Sequence, residues 1–269
     1  MCLSVRSARV RQLLAITRDV SPSIVNCELT HLSREPIDID KARAQHGHYE
    51  HALGRLGCMV TRLPADASMP DSVFIEDIAI VFDEIAVITR PGAVSRRPEI
   101  AAVTKKLSQL RPIVQIVAPG TIDGGDVLVV GRSIFVGRTL RTNDAGLGQL
   151  RAAVASYGYT VVSATVRGCL HLKSAITALD DQTLLANRQW IDEEEFNRFE
   201  LLDVDEAESM GANIVRVGAG HLYASTFPRT LERLERRGYA VTTVDVSEIA
   251  KAEGAVTCCS LIFGGSDPL

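Results

Sequence analysis

A thiol, an imidazole and a carboxylate are the parts of a nucleophilic site, and Cys258, His171 and Asp123 can supply them. An imidazole beside a thiol can take its proton and leave a strong thiolate nucleophile, while a carboxylate on the far side of the ring fixes its tautomer. Taken singly, Cys258 and Cys259 read as small buried hydrophobes and His171 as a structural histidine. A second group is acidic. Glu76 and Asp77, preceded by Asp71 in PDSVFIED, place three carboxylates among apolar residues, where uncompensated charge is costly. Such acids want a cation. A bound planar guanidinium would satisfy them through several charge-assisted hydrogen bonds, and so would an internal salt bridge to one of the chain's arginines. The local sequence does not choose between the two. Phe74 could lie along an alkyl stem, although core packing is the ordinary role of a strand aromatic. Arg96 and Arg141 fall in loops just before helices, where they could grip a carboxylate, whereas Arg97 and Arg138 read as solvated surface.

These residues need elements that converge. Helix-like segments end at Gly57, Gly158 and Gly238 and pass directly into β-branched runs, so each glycine is expected at a positive φ. Weaker copies restart near Pro112 and Glu200. Ahead of the helices lie paired apolar runs joined by short turns: AIVF-DE-IAVI, VLVV-GRS-IFVG, ITAL-DDQ-TLLA and IVRV-GAG-HLYA. The repeat is therefore strand, strand, helix, strand. The last run, CCSLIF at 258–263, is expected to be the strand that completes the first module and closes a ring. In such a ring the starts of the first hairpin strands face one central space. Glu76-Asp77, Asp123, Asp126, His171, Asn213 and Cys258 occupy those positions. No linker divides residues 1–269, which read as one domain.

Composition removes several other roles. The chain has 269 residues, a formal charge of -4, 46% hydrophobic and 23% charged residues, which suits a compact globular protein. It offers no field for a nucleic acid. No apolar run approaches the roughly 18 to 20 residues that span a bilayer, and the start MCLSVRSARVRQLLAI lacks a signal core, so a cytoplasmic location is expected. Six scattered cysteines without a CxxC pair fit free thiols in a reducing compartment. His46, His48 and His51 lie on a helix expected over 37–56, follow no HExxH pattern and read mostly as surface residues. GTIDGGD and the terminal FGGSD lack a phosphate-binding pattern, so no nucleotide is implied.

PDSVFIED, ITRPGAVSRR, APGTIDGGDVLVVG, GRTLRTN, CLHLKSA and EGAVTCCSL, in this order, resemble the dimethylarginine dimethylaminohydrolase family of the pentein superfamily of guanidine-modifying enzymes. The likeness runs from about Asn26 to Leu261. It implies a five-bladed α/β propeller of ββαβ modules, the fold class that the repeat also suggests. It further implies hydrolysis of Nω-methylated L-arginines to L-citrulline and an alkylamine, with no cofactor and no metal. By motif, Cys258 matches the nucleophile, His171 the acid/base and Asp123 its carboxylate partner. Glu76 and Asp77 match the guanidinium-binding acids, with Phe74 beside them. Asp71 matches a residue at the substrate's α-amino end, Arg96 and Arg141 the carboxylate anchors, and Leu29 a lid-loop position whose backbone meets the ligand. Glu253-Gly254 stands where the family commonly has Asp-Gly, so Glu253 is expected near the substrate amine or the histidine. The expected partner is a small molecule, and a homodimer suits such a ring. The rivals are an arginine deiminase-like hydrolase, a non-catalytic binding protein on the same ring, and a zinc hydrolase, which would be chelator-sensitive.

Overall fold

The protein was studied as a computed structural model, which describes residues 11–265. The first ten residues, with Cys2, and the Ser266-Asp267 end of FGGSD lie outside the described residues.

The chain begins with β1 (Leu13–Arg18) and helix α1 (Ile39–Arg55), whose N-cap Asp38 accepts the Lys41 N–H at 3.0 Å. Ala42, His46, Tyr49 and Leu53 recur at helical spacing and form the buried stripe. His46 is therefore a core residue, only 2% exposed, against the surface reading of the three histidines; His48 and His51 are exposed. Gly57 ends the helix region at φ 99, with Gly158 and Gly238 doing the same at φ 75 and 84. Strand β2 (Cys58–Leu63) then runs parallel to β1.

The pattern repeats. Hairpin β3 (Ala79–Val81) and β4 (Ala86–Ile88) leads through α2 (Ile100–Leu107) to β5 (Ile113–Gln115), parallel to β4. Next come β6 (Val127–Val130), β7 (Ser133–Arg138), α3 (Asp144–Val154) and β8 (Thr160–Thr165). The single turn α4 (Leu172–Ala175) introduces β9 (Ile176–Ala178), β10 (Thr183–Ala186) and β11 (Glu200–Asp203). This module departs from the expected pattern, because two 3-10 turns replace its α-helix. The side chains of Asn187 and Asp192 accept the N–H groups of Gln189 and Glu194, which diverts the backbone into short turns. The fifth set is β12 (Ile214–Val217), β13 (Gly220–Ala224), α5 (Pro228–Arg236) and β14 (Val241–Val244). After the short α6 (Ser247–Ala250), β15 (Leu261–Gly264) pairs antiparallel with β1 and completes the first sheet from the far end of the chain.

Among the described residues, five three-stranded sheets result. Residues of β3, β6, β9, β12 and β15 line one cavity of about 260 Å³, which places the five inner strands around a common axis. This is the α/β propeller that the repeats predicted. Among the described residues no helix is long and apolar enough to cross a membrane.

Candidate active site

The turns that feed the inner strands meet at one end of the axis. Cys258, His171, Asp77, Asp71, Phe74, Arg96, Arg141 and Glu253 line a pocket of only about 20 Å³. That is room for about one water.

Cys258 does not sit on a strand as expected; β15 starts at Leu261. Residues 255–258 instead form a turn in which the Cys258 N–H donates to Ala255 O and the Ala255 N–H points to the Cys258 Sγ at 3.4 Å. Tyr49 of α1 clamps this turn, donating to Val256 O at 2.8 Å and lying 2.6 Å from the Ser260 hydroxyl. Burial, reinforced by the charges of Glu76 and Asp77, pushes the Cys258 thiol up to about 12. Cys259 is buried in the core and keeps its bland role.

His171 precedes α4, and its Nε2 lies 3.1 Å from Asp123 Oδ2 and 3.9 Å from Asp77 Oδ1. Burial opposes the charged imidazole, yet Asp77, Asp123 and Asp126 outweigh it and hold the ring up at about 9. Asp123 is steadied in turn by the Gly92 N–H at 2.9 Å. Asp126 accepts the Leu172 N–H at 3.1 Å and the hydroxyls of Thr139 and Thr142, so it ties the start of α4 to the neighbouring blade. A side chain at Gly125 would come 2.6 Å from His171 Nδ1 and 2.9 Å from Asp77 Oδ1, so the GGD run lets these two approach.

Asp77 accepts the Gly125 N–H at 2.9 Å and pairs with Arg96 at 2.5 Å. Burial works against its charge, but His171 and Arg96 hold it down at about 2. All three guanidinium nitrogens of Arg96 are engaged, by Asp77, by both oxygens of Glu99 and by the carbonyls of Phe74 and Asp71. Arg96 thus differs from the free carboxylate grip suggested by its sequence position. It is 4% exposed because it lies inside the 3-10 helix Val94–Glu99 rather than in an open loop. Glu76, unlike Asp77, does not line this pocket: its carboxylate pairs with Lys173 on the side of the axial cavity, while its backbone N–H donates to Cys258 O at 3.1 Å.

The loop after Asn26 covers the pocket. Asp71 accepts the Glu28 N–H through both oxygens at 3.2 Å, and burial raises its carboxyl. Leu29 is half-buried against the core below the loop and does not line the pocket. Arg141 donates to the Thr30 hydroxyl at 2.9 Å. Glu253, at φ 59, aims its carboxylate neither at the histidine nor into the pocket centre but at the loop backbone, accepting the N–H groups of Thr30, His31 and Leu32 at 3.0, 2.5 and 2.6 Å. Gly254 beside it is required, since a side chain there would strike the Phe74 ring.

Glu28, Leu170 and Ala252 also line the pocket and were not picked out from the sequence. Lys173 was missed too, although it stands two residues after His171 in CLHLKSA. Asp77, Asp123 and His171 offer one atom each within 4.8 Å of one another, a spacing that could hold a metal ion. Those groups are already committed to each other, to Arg96 and to backbone N–H groups.

A scan of protein-family models returns no match. The N(G),N(G)-dimethylarginine dimethylaminohydrolase of Streptomyces coelicolor is 42% identical over 250 residues, 92% of this chain and 95% of that protein. The chain belongs to the dimethylarginine dimethylaminohydrolase family. The Pseudomonas aeruginosa enzyme of the same name is 37% identical over 228 residues, 84% of this chain and 90% of that one. A solved cysteine-to-serine variant of a Pseudomonas aeruginosa family member, complexed with citrulline, superposes with a TM-score of 0.89 at 35% identity, over 93% of this chain and 98% of its own. The N-terminal domain of the cyanobacterial arginine dihydrolase ArgZ, 18% identical with a TM-score of 0.85 over 95% of this chain and 98% of its own, shares the fold. The family is one of hydrolases that act on C–N bonds, and this chain is such an enzyme.

Proposed function

We propose that the protein hydrolyses Nω-methylated L-arginines to L-citrulline and the corresponding methylamine, through a thiouronium formed on Cys258. The observation that carries this reading is the joint placement of Cys258, His171 and Asp77 around one small buried pocket, with Asp123 bonded to the imidazole.

At rest the pocket holds a protonated thiol and a protonated imidazole, given positions of about 12 and about 9. A guanidinium entering beside Asp77 and Glu76 supplies the positive charge that the thiolate needs, and the thiol proton is lost to solvent. The sulfur attacks the guanidinium carbon and forms a C–S bond, while the C–N π electrons move onto nitrogen. His171 gives its proton to the alkylated nitrogen, whose bond to carbon breaks and releases the amine. The now neutral His171 takes a proton from water, the hydroxide adds to the thiouronium carbon, and the C–S bond breaks while the added hydroxyl loses its proton to solvent, giving citrulline, thiolate and a protonated His171. Asp123 keeps the ring oriented throughout. No step calls for a metal or an organic cofactor.

Asp71 suits the substrate's α-amino group and Phe74 its alkyl stem. The α-carboxylate falls to Arg141, whose guanidinium, among the described residues, donates to the Thr30 hydroxyl; Arg96 joins it only by giving up Asp77 or Glu99. The loop at Leu29 must open for entry. Residues 1–269 act as one catalytic unit in this reading, because the groups come from separate blades. A small soluble amino acid as substrate and the unpaired described cysteines suit a cytoplasmic setting.

Citrulline release should be measured from dimethylarginine, monomethylarginine and arginine in parallel, with Cys258→Ala as control. Turnover of the methylated substrates alone supports the proposal, turnover of arginine alone supports the deiminase-like rival, and a Cys258→Ala protein that still works removes the covalent mechanism.

A further inference from the structure

Asn213 converges on the axis with the site residues but lines neither the Cys258 pocket nor the axial cavity, and it has no place in the reaction above. Its hydrogen bonds give it one. Glu76, Lys173 and Thr257 line the axial cavity of about 260 Å³ and not the Cys258 pocket, so they stand in the wall between the two. Lys173 reaches from α4 to bring its Nζ within 2.5 Å of Glu76 Oε1. The Thr257 hydroxyl donates to Glu76 Oε2 at 2.8 Å. Asn213 ties these two donors together: its Nδ2 donates to Lys173 O and to Thr257 Oγ1, both at 2.9 Å, and its Oδ1 accepts the Thr257 N–H at 3.0 Å. The Glu76 N–H then donates to Cys258 O at 3.1 Å.

A buried ion pair by itself is weak evidence of anything beyond structure, since apolar replacements of such pairs are often tolerated. Here the pair belongs to a closed circuit that includes Thr257, the residue before Cys258, and Glu76 is bonded directly to the Cys258 carbonyl. We propose that Lys173 is a positioning residue for the reaction: with Asn213 and Thr257 it fixes the orientation and the negative charge of Glu76 and locks that acid to the backbone carrying Cys258. The inference rests on the reading of Glu76 as a guanidinium-holding acid.

The charged and titratable groups facing Glu76 are Lys173 from α4, Asp77 beside it, Cys258 and Cys259 from the last turn, and Tyr49 from α1. Burial raises the Glu76 carboxyl and Lys173 is the cation that counters it. Without Lys173, Glu76 would hold its proton to higher pH and lose its grip on a guanidinium.

The test uses the full chain with Lys173→Met, Lys173→Arg and Thr257→Val, following dimethylarginine hydrolysis over roughly pH 5 to 9. Lys173→Met should raise KM by about tenfold or more, the loss of a charge-assisted hydrogen bond, with a smaller fall in kcat, and should move the acidic limb of kcat/KM to higher pH. Lys173→Arg should restore most of both. Thr257→Val should shift both in the same direction by less. Arg216→Ala, which lines the axial cavity and removes a surface pair with Asp181, should match the wild type. An unchanged KM and acidic limb in Lys173→Met, or a Lys173→Arg no better than it, overturns the proposal. If Lys173→Met does not fold, judged by circular dichroism, Thr257→Val decides: a wild-type profile overturns the proposal and the shifted one supports it. If the wild type turns over none of the substrates, the functional reading has failed instead. Amide hydrogen exchange then decides, read at Glu76, whose N–H donates to Cys258 O, and at Thr257, whose N–H donates to Asn213. Faster exchange at both in Lys173→Met supports the circuit, and exchange unchanged from the wild type overturns it.

Discussion

His171 Nε2 is 3.1 Å from Asp123 Oδ2, and this contact is one of three carboxylate influences that keep the imidazole protonated up to about pH 9. In the proposed reaction this group first donates a proton to a leaving amine, and it is thereby charged at neutral pH. Asp123→Asn removes one of those influences and the ring's orienting partner. Its kcat should fall by roughly a hundredfold, within the range that positioned acid/base groups contribute. The alkaline limb of kcat should also move to lower pH, because the imidazole now loses its proton earlier. A variant with wild-type kcat and an unmoved limb would remove Asp123 from the mechanism.

Asp77 has opposite effects on binding and on the resting thiol. In the proposed reaction its charge holds a guanidinium, yet it also helps push Cys258 up to about 12. Asp77→Asn should therefore lower kcat/KM for dimethylarginine by about 10- to 150-fold, the loss of a charge-assisted hydrogen bond. The same change should speed alkylation of Cys258 by iodoacetamide at a fixed pH near 8, since one of the charges opposing the thiolate is gone. Slower alkylation than wild type would contradict the electrostatic account.

The glycines at 57, 158 and 238 and the hairpin spacing made the ring readable, because a helix end and a two-strand turn are local events with local residue preferences. The convergence of the candidate site residues was legible for a related reason: each precedes an inner strand, so the repeat aligned them. What stayed hidden depended on contacts across the ring. No local pattern says that Arg96 meets Asp77 and Glu99, that Glu76 is answered by Lys173 from another blade, or that His46 faces the core. Even the strand expected at Cys258 was displaced by a long-range contact, the clamp from Tyr49, 207 positions from Val256. The missing helix after β10 is the exception, since Asn187 and Asp192 are local turn formers that the repeat alignment overrode.

Glu253 holds the pocket's cover by three backbone N–H groups, and it does so from a backbone conformation unfavourable to a side-chain-bearing residue. Glu253→Gln keeps the shape and weakens those charge-assisted bonds. Amide hydrogen exchange at residues 30–32 should quicken by about tenfold, and KM should rise by a few-fold while the Cys258 alkylation rate at high pH increases with access. Unchanged exchange at these amides would mean that the cover is held by other contacts, such as the Arg141 bond to Thr30.

Stability should carry the imprint of His171 as well. Its folded position of about 9 lies above the unfolded value of roughly 6.5, so the fold binds its proton more tightly than the unfolded chain does. The resulting stabilisation is complete below about pH 6.5 and is lost as the pH rises through 9, at up to about 1.4 kcal/mol per pH unit within that window. Other groups act near its edges. Asp126, raised by burial to about 6, loses its contribution between the ordinary carboxylate range and that value. The raised thiols, with Cys258 and Cys169 near 12, oppose folding only once the unfolded thiols ionise, above about pH 8.5. His46, lowered by burial, stops opposing the fold once unfolded histidine has lost its proton, so urea unfolding between roughly pH 7 and 8 isolates His171. The wild type should lose stability across that interval, and His171→Gln, whatever its absolute stability, should show a much flatter profile. Equal slopes in the two proteins would mean that the imidazole is not held in its charged form by Asp77, Asp123 and Asp126.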